Sequence, residues 1–423
     1  MVNDRIDEFL ALAIDASMDP DERRADAASE KLWNENKIIA LRGPPGSGKT
    51  TVQKRAILRC HALGGRGFYG LPNNALAARM KELCGNVIQV GTCHSILGLD
   101  EPQMFWPSLR FYQMGLIDEI SQLKDYHYHQ IGSMFVQAER GLVLLLCGDQ
   151  YQVGGYGENR IWHTTTWRNP QMTFKVDLHD MHRCKDPELG AILSELKTNY
   201  PRDESLARLR APDLAAWYPV GPPTAAGMGK LFAKHKNTEV LVISRRGTEE
   251  VNNATLEARF PRFPPRAVVP GDVLSSSKNY VGGELKPTRD LVPSEFPVFV
   301  GMKAYITKTL RKDLDFVNGM QVEVIGWSDT TSSIRVRTKT DRTFEVTRWA
   351  DPDMDHMGYY PLRVGYASTI LRQAGAELEH VTIYLDVPNA AACAYTALSR
   401  VSTLKAIKIG GKITASHFAP AVG

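Results

Sequence analysis

Ile38-Ile39-Ala40-Leu41-Arg42-Gly43-Pro44-Pro45-Gly46-Ser47-Gly48-Lys49-Thr50 is the stretch whose reading decides the fold. Four apolar residues in a row have the length of a buried strand, and the glycines and prolines that follow cannot continue it. The segment completes the pattern G-x-x-x-x-G-K-T, with a strand before it and a helix opening at its end. Glycines let backbone N–H groups wrap an anion, and a helix N-terminus adds its own donors. Gly43, Pro44, Pro45, Gly46, Ser47, Gly48, Lys49, Thr50 and Thr51 are therefore read as a phosphate loop for a nucleotide. Lys49 is placed to neutralise the β/γ-oxygens, and the Thr50 hydroxyl to ligate Mg²⁺.

Downstream, short apolar strands alternate with helical stretches: Gly115-Leu116-Ile117, Leu142 to Leu146, Val240 to Ile243 and Val381 to Leu385. That rhythm belongs to a mostly parallel α/β sheet, and most of these strands run into charged, small or glycine residues, where such sheets bind ligands. Asp118-Glu119 follows the first of them. An isolated Asp-Glu pair is ordinarily a solvated loop, but at a strand end behind a phosphate loop Asp118 suits a Mg²⁺ ligand and Glu119 a general base for water. Gly148-Asp149-Gln150-Tyr151-Gln152 leaves the next strand, and Gln152 or Gln150 is suited to sensing the γ-phosphate.

Residues 1–36 read as an N-terminal helical segment broken at Asp19-Pro20. Residues 37–160 form a first domain carrying a short insertion; residues 161–260 and 361–423 form a second. Between them, 261–360 is rich in proline and then alternates in period two through Val322–Ile325, Ser333–Arg337 and Thr343–Val346, which suggests a small inserted β-barrel. The expected fold is thus α/β: two RecA-like P-loop domains with parallel sheets plus that insertion.

The 423 residues exceed one ordinary core, and their 43% hydrophobic content is that of a globular protein. No apolar run is long enough to span a bilayer and no signal peptide is evident, so a soluble intracellular protein is expected. Six cysteines lack any CxxC pair, which argues against a zinc module or disulfide framework. A formal charge of +4 permits a polyanionic partner without requiring one.

The order of motifs resembles superfamily 1B DNA helicases of the Pif/RecD type. Gly91-Thr92-Cys93-His94-Ser95 is similar to the family element that lies against the strand; Leu178–Arg183 with Asp186-Pro187 is similar to the segment whose arginine reaches the γ-phosphate. Val300-Gly301-Met302-Lys303 with Val317-Asn318-Gly319, and Tyr395–Val401 around Arg400, match later motifs. The resemblance implies an ATP- and Mg²⁺-dependent helicase moving 5′ to 3′ on single-stranded or tailed duplex DNA. Arg183 and Arg400 would both come from the far domain as arginine fingers that act when a seam between the domains closes. Glu119, Gln152 and Lys49 complete the catalytic set, Gln152 and Gly375 extend the nucleotide contacts, and Thr92, His94, Ser95 and Thr369 would meet the strand.

Base stacking has four aromatic candidates, His94, Phe105, Trp106 and Tyr280. Two departures stand out. Thr369-Ile370-Leu371-Arg372-Gln373-Ala374-Gly375 replaces the family's TIHKSQG, and no adenine-reading glutamine precedes the phosphate loop. The competing readings are a viral-type superfamily 1 RNA helicase and a P-loop switch or assembly ATPase that never moves on a strand.

Overall fold

The computed structural model describes residues 38–85, 87–137, 142–154, 164–168, 173–216, 222–281, 284–311, 316–350 and 358–421. The N-terminal segment expected over 1–36 lies outside them. The chain divides into two compact units, one ending at Lys185 and the other beginning at Asp186.

The first unit is built on six strands: β1 (Ile38–Arg42), β2 (Gly67–Leu71), β3 (Gln89–Thr92), β4 (Met114–Ile117), β5 (Val143–Gly148) and β6 (Thr173–Asp177). They assemble in the order β3-β2-β4-β5-β1-β6, and each neighbouring pair is parallel. A parallel sheet is covered on both faces, so its central strands must be apolar at every position. Ile38, Ile39, Ala40 and Leu41 meet that demand at 0–1% exposure. Ile39 and Leu41 enter one layer with Val52, Ala56, Ile57 and Cys60 of the helix Lys49–Ala62. Ile38 and Ala40 enter the opposite layer with Tyr128, Ile131, Met134 and Phe135 of the helix Asp125–Gln137. Each such isoleucine or leucine contributes about 1.5–3 kcal/mol by leaving water.

In the second unit, β7 (Glu239–Val242) starts a further sheet. The connecting region then holds two short antiparallel pairs: β8 (Ala267–Pro270) with β11 (Glu295–Val298), and β9 (Tyr280–Val281) with β10 (Glu284–Leu285). There follow β12 (Lys303–Ile306), β13 (Gln321–Ser328), β14 (Ser333–Arg337), β15 (Thr343–Val346), β16 (Leu362–Val364), β17 (Ala367–Thr369), β18 (Val381–Tyr384) and β19 (Ile407–Gly410). The parallel sheet of this unit runs β17-β7-β18-β19, and an antiparallel sheet runs β15-β14-β13-β12-β16.

Two expectations need correction. Residues 173–185 belong to the first unit: Thr173–Asp177 pairs with Ile38–Arg42 in register, which carries the following Leu178–Arg183 segment with it. The expected barrel is an open sheet among the described residues, with β15 and β16 as its edges and no pairing that closes it. Alternation does describe β13 to β15 correctly, because Val322, Val324, Ile334, Val336 and Val346 are buried while their neighbours along the strands are mostly more exposed.

Glycine marks where this packing is tightest. A Cβ at Gly115, in the middle of β4, would lie 2.4 Å from Phe68 Cζ and 2.5 Å from Leu144 Cδ2. At Gly229, in the helix Ala225–Lys234, the nearest atom would be Ala258 Cβ at 3.8 Å. Gly115→Ala is expected to destabilise the first unit by about 1–3 kcal/mol through overpacking. Gly229→Ala is expected to stabilise the second by up to about 1 kcal/mol through helix propensity. Urea unfolding of both variants checks the pair, and equal effects would contradict the packing described.

Candidate functional site

Parallel pairing puts the carboxyl ends of the first unit's strands along one edge. Arg42 is level with Gly148 and with Asp177, Ile117 with Leu146 and Gly70, and Leu71 with Thr92. The phosphate loop, Asp118-Glu119, Asp149–Gln152, Leu178–Arg183 and Thr92–Ser95 therefore all leave the sheet on the same side. Backbone bonds from Gly43 N to Gly148 O (3.1 Å) and from Leu178 N to Arg42 O (2.8 Å) carry the pairing past the strand ends. Arg42 then donates to Asp177 Oδ2 at 2.5 Å and to Gln150 Oε1 at 3.4 Å, tying three of the exits together.

The loop itself turns on Gly46 and Gly48, whose φ values of 73° and 94° are left-handed. Lys49 Nζ folds back to donate to the carbonyls of Gly43 (2.7 Å) and Pro44 (2.9 Å), while Thr50 and Thr51 are exposed at the start of the helix. Ser47 Oγ is buried without a hydrogen-bond partner among the described residues. A Cβ at Gly46 would sit 2.1 Å from Arg183 Cβ, so Arg183 packs directly on the loop. Sequence alone places Arg183 in a far domain; it stands instead beside the phosphate loop within the same unit.

At the end of β4, the Tyr69 hydroxyl lies 2.8 Å from Gln53 Oε1 and 3.0 Å from Asp118 Oδ2, and Glu119 N donates to Asp118 Oδ1 at 2.9 Å. Burial pushes the Asp118 carboxyl up from its ordinary value, against the Glu119 N–H, Lys49 and Tyr69, which favour the carboxylate. Glu119 holds a left-handed backbone, φ 51° and ψ 44°. Such a conformation costs a non-glycine residue on the order of 1–3 kcal/mol and is concentrated at functional sites. Gln152 is 2% exposed; its Nε2 donates to Asp149 Oδ2 at 3.4 Å, and its Oε1 has no hydrogen-bond partner among the described residues.

Thr92 caps the short helix Cys93–Leu97 by accepting from Ser95 N at 3.1 Å, and Ser95 Oγ donates back to Thr92 O at 3.0 Å. His94 is exposed, with Nε2 3.1 Å from Asp100 Oδ2. His127 Nε2 lies 2.9 Å from the other oxygen, and Tyr126 donates to it at 2.8 Å. Burial would raise the Asp100 carboxyl, but these partners hold it below the usual range. The three side chains could present metal ligands. However, Lys124 N points its hydrogen at His127 Nδ1 (3.4 Å), which leaves the ring proton on Nε2 for the carboxylate, the arrangement of a hydrogen-bonded clasp.

Among the stacking candidates, Trp106 is half-buried and donates to Glu101 O at 2.8 Å, and Tyr280 lies under the Arg245 guanidinium at 4.2 Å. The side chain of Phe105 lies outside the described residues. Arg400, in the second unit, is 1% exposed; its guanidinium donates to Thr396 O and Ser399 Oγ, both at 2.9 Å, and to Ala376 O at 3.4 Å. Gly375 there has φ 82°. Thr369 ends β17, and Gln373 Nε2 donates to Tyr305 Oη at 3.4 Å. Sequence reasoning misses Tyr69, Gln53, Asp100 and His127, because no local pattern announces a partner 16 to 49 residues away. All six cysteines are free thiols, and burial lifts Cys60 to about 11 and Cys93 to about 12, so both stay protonated at neutral pH.

A P-loop at the carboxyl edge of a parallel sheet defines the class as a P-loop nucleoside triphosphatase fold, and residues 21–214 match the family model of an AAA domain. The solved structures that share the fold include Pif1 helicases. A structure of two coordinating Pif1 helicases at forked dsDNA has 19% identity, 90% coverage of each chain and a TM-score of 0.65. Bacteroides Pif1 bound to ssDNA has 17% identity, covering 94% of this chain and 93% of that one, with a TM-score of 0.62. For Pif1 of Candida albicans the values are 17%, 90%, 93% and 0.60. No curated protein sequence matches this chain. The α/β expectation and the resemblance to the Pif type therefore hold at the level of fold.

Gly46→Ala is expected to weaken nucleotide binding by roughly tenfold, since a left-handed alanine costs about 1–2 kcal/mol and the new methyl displaces Arg183. Titration with a fluorescent ATP analogue measures it. Unchanged affinity would show that Arg183 does not rest on the loop.

Proposed function

We propose that this chain is an ATP-dependent DNA helicase that moves 5′ to 3′ along single-stranded DNA, coupling hydrolysis to each step. The observation that carries the reading is the convergence of the five motif segments on one sheet edge, with Arg183 packed on the phosphate loop. The fold shared with Pif1 helicases, one of them bound to ssDNA and another carrying ADP-AlF3, supports it.

Lys49, now resting on loop carbonyls, would exchange them for β/γ-oxygens. Glu119 takes the proton of the attacking water, held at its strand end by a constrained backbone. Gln152 presents an unsatisfied carbonyl oxygen that can hold that water in line. Arg183 supplies positive charge where charge grows on the γ-phosphoryl group, and Arg400, on the strength of its motif, is the second such arginine. Thr51 and Gly375 complete the proposed ATP contacts.

A Mg²⁺ ion fits the residues present: Asp118 is a carboxylate whose ionised form burial penalises and a cation would favour, and the Thr50 hydroxyl adds a second hard oxygen. When bound, such an ion would neutralise developing phosphate charge. Thr92, His94, Ser95 and Thr369 are proposed to meet the strand, with Asp100 fixing the His94 ring.

Glu119→Gln should lower strand-stimulated hydrolysis by about 10²–10⁴ while ATP still binds, and Lys49→Ala should lose binding as well. Hydrolysis by Glu119→Gln at the parent rate would remove Glu119 from the chemistry. Unwinding of duplexes with a 5′ or a 3′ tail, in DNA and in RNA, tests polarity and substrate together. Faster unwinding of RNA would favour the viral-type alternative, and no stimulation by any strand would favour a switch ATPase.

A further inference from the structure

Tyr69, in the middle of β2, is 0% exposed and lies in the core layer that also holds Val52, Ala56 and Ile57 of the helix Lys49–Ala62. Its neighbour Phe68, equally buried, serves the opposite layer with no polar atom in its side chain. Phenylalanine would fill the Tyr69 position just as well, and a hydroxyl taken into a core costs free energy unless it is hydrogen-bonded. The use of the hydroxyl is therefore to be sought in what it touches.

Its two partners come from the two elements that carry the proposed cation ligands. Gln53 Oε1, 2.8 Å away, stands one turn beyond Thr50 on the helix that opens with the phosphate loop, and Gln53 is itself fully buried. Asp118 Oδ2, 3.0 Å away, belongs to the residue just past the end of β4. The Asp118 backbone is pinned to β2 as well, since its N–H donates to Gly70 O at 3.0 Å, while Oδ1 accepts the Glu119 N–H at 2.9 Å. A phenol has one proton to place, and a carboxylate is a stronger acceptor than an amide, so the donation goes to Asp118. Tyr69 thus joins the helix that carries Thr50 to the strand end that carries Asp118.

We propose that Tyr69 is a positioning residue for the cation site: through Gln53 and Asp118 it fixes the span between the Thr50 hydroxyl and the Asp118 carboxylate, and a fixed span favours Mg²⁺ over the larger Ca²⁺. This assignment rests on the Mg²⁺ reading above and adds to it the residue that sets its selectivity. Mg²⁺ demands near-ideal octahedral geometry with oxygens at about 2.0–2.1 Å, whereas Ca²⁺ accepts about 2.3–2.6 Å in a flexible shell. Loosening the two ligands therefore costs the smaller ion more. With no exposed surface, Tyr69 meets neither nucleotide nor ion, and its effect passes through the carboxylate it orients.

The test uses the full chain with ADP and Mn²⁺, whose bound fraction is read by electron paramagnetic resonance, and with Mg²⁺ or Ca²⁺ as the displacing ion. In Tyr69→Phe, Mg²⁺ affinity falls by about tenfold, the low end of the usual loss when a partner of a metal ligand is removed. Ca²⁺ affinity falls by less, and ADP affinity in EDTA keeps the parent value, which also reports that the fold is intact. Gln53→Met, which keeps the phenol but severs its tie to the helix, lowers the preference for Mg²⁺ over Ca²⁺ in the same direction. Parent-like Mg²⁺ affinity in Tyr69→Phe would overturn the proposal, as would equal losses for the two ions or a parent-like preference in Gln53→Met. A fall in metal-free ADP affinity as large as the fall in Mg²⁺ affinity would overturn it too, by giving Tyr69 a purely structural part. If the parent binds ADP but no Mn²⁺, the Mg²⁺ reading itself fails and takes the proposal with it.

Discussion

The structure depends on the parallel pairing of β1 with β5 on one side and β6 on the other. Ile38 to Leu41 are apolar on both faces because helices cover both faces, and that burial fixes where the strand ends. The residue that ends it, Arg42, is level with Gly148 and Asp177, so three chain segments are released at one height. A slip of one residue in a strand with both faces buried would exchange Ile39 and Leu41 for Ile38 and Ala40 between two layers of different shape. The phosphate loop is held by that packing, and its own glycines supply only the freedom to turn.

Legibility in the sequence follows burial. Strands whose every residue is apolar, such as Ile38–Leu41 and Val143–Leu146, announce themselves, because only a two-sided core demands such runs. Gly67–Leu71 does not, since its glycines read as turn signals, although Gly70 serves as a close-packing position where a Cβ would approach Cys93 Sγ at 3.1 Å. Thr173–Asp177 escapes for a different reason. As the edge strand it mixes polar with apolar residues, so sequence ends the first domain near residue 160 and assigns Arg183 to the wrong unit. The expected barrel reads too much into alternation: period two reports that a sheet has one wet face, and it says nothing about whether its edges meet.

At the site, the legible part is chemistry that is local in the chain. The phosphate loop and Asp118-Glu119 are contiguous, and their residue types have few other uses at a strand end. The supports of those residues come from across the sheet. Tyr69 reaches Asp118 because β2 and β4 are neighbours, although 49 positions separate them in the chain. Arg400 shows the converse limit, for a motif match gives no warning that its guanidinium is engaged by Thr396, Ser399 and Ala376. The altered segment Thr369–Gly375 also becomes intelligible in space: Arg372 and Gln373 both turn to Tyr305, so the departure from the family pattern falls around one ring.

Three features of the fold are individually unfavourable. Glu119 is held in a left-handed conformation, Asp118 is a carboxylate whose charge burial opposes, and Arg363 hides Nε and Nη2 from water with no acceptor among the described residues. A chain selected for stability alone would relieve each with a single substitution, since glycine, asparagine and methionine are all available at those positions. In the proposed function two of them are suited to something outside the chain: a cation for Asp118 and a bound water for Glu119. On that proposal the cost in the free protein becomes affinity or reactivity when the missing partner arrives.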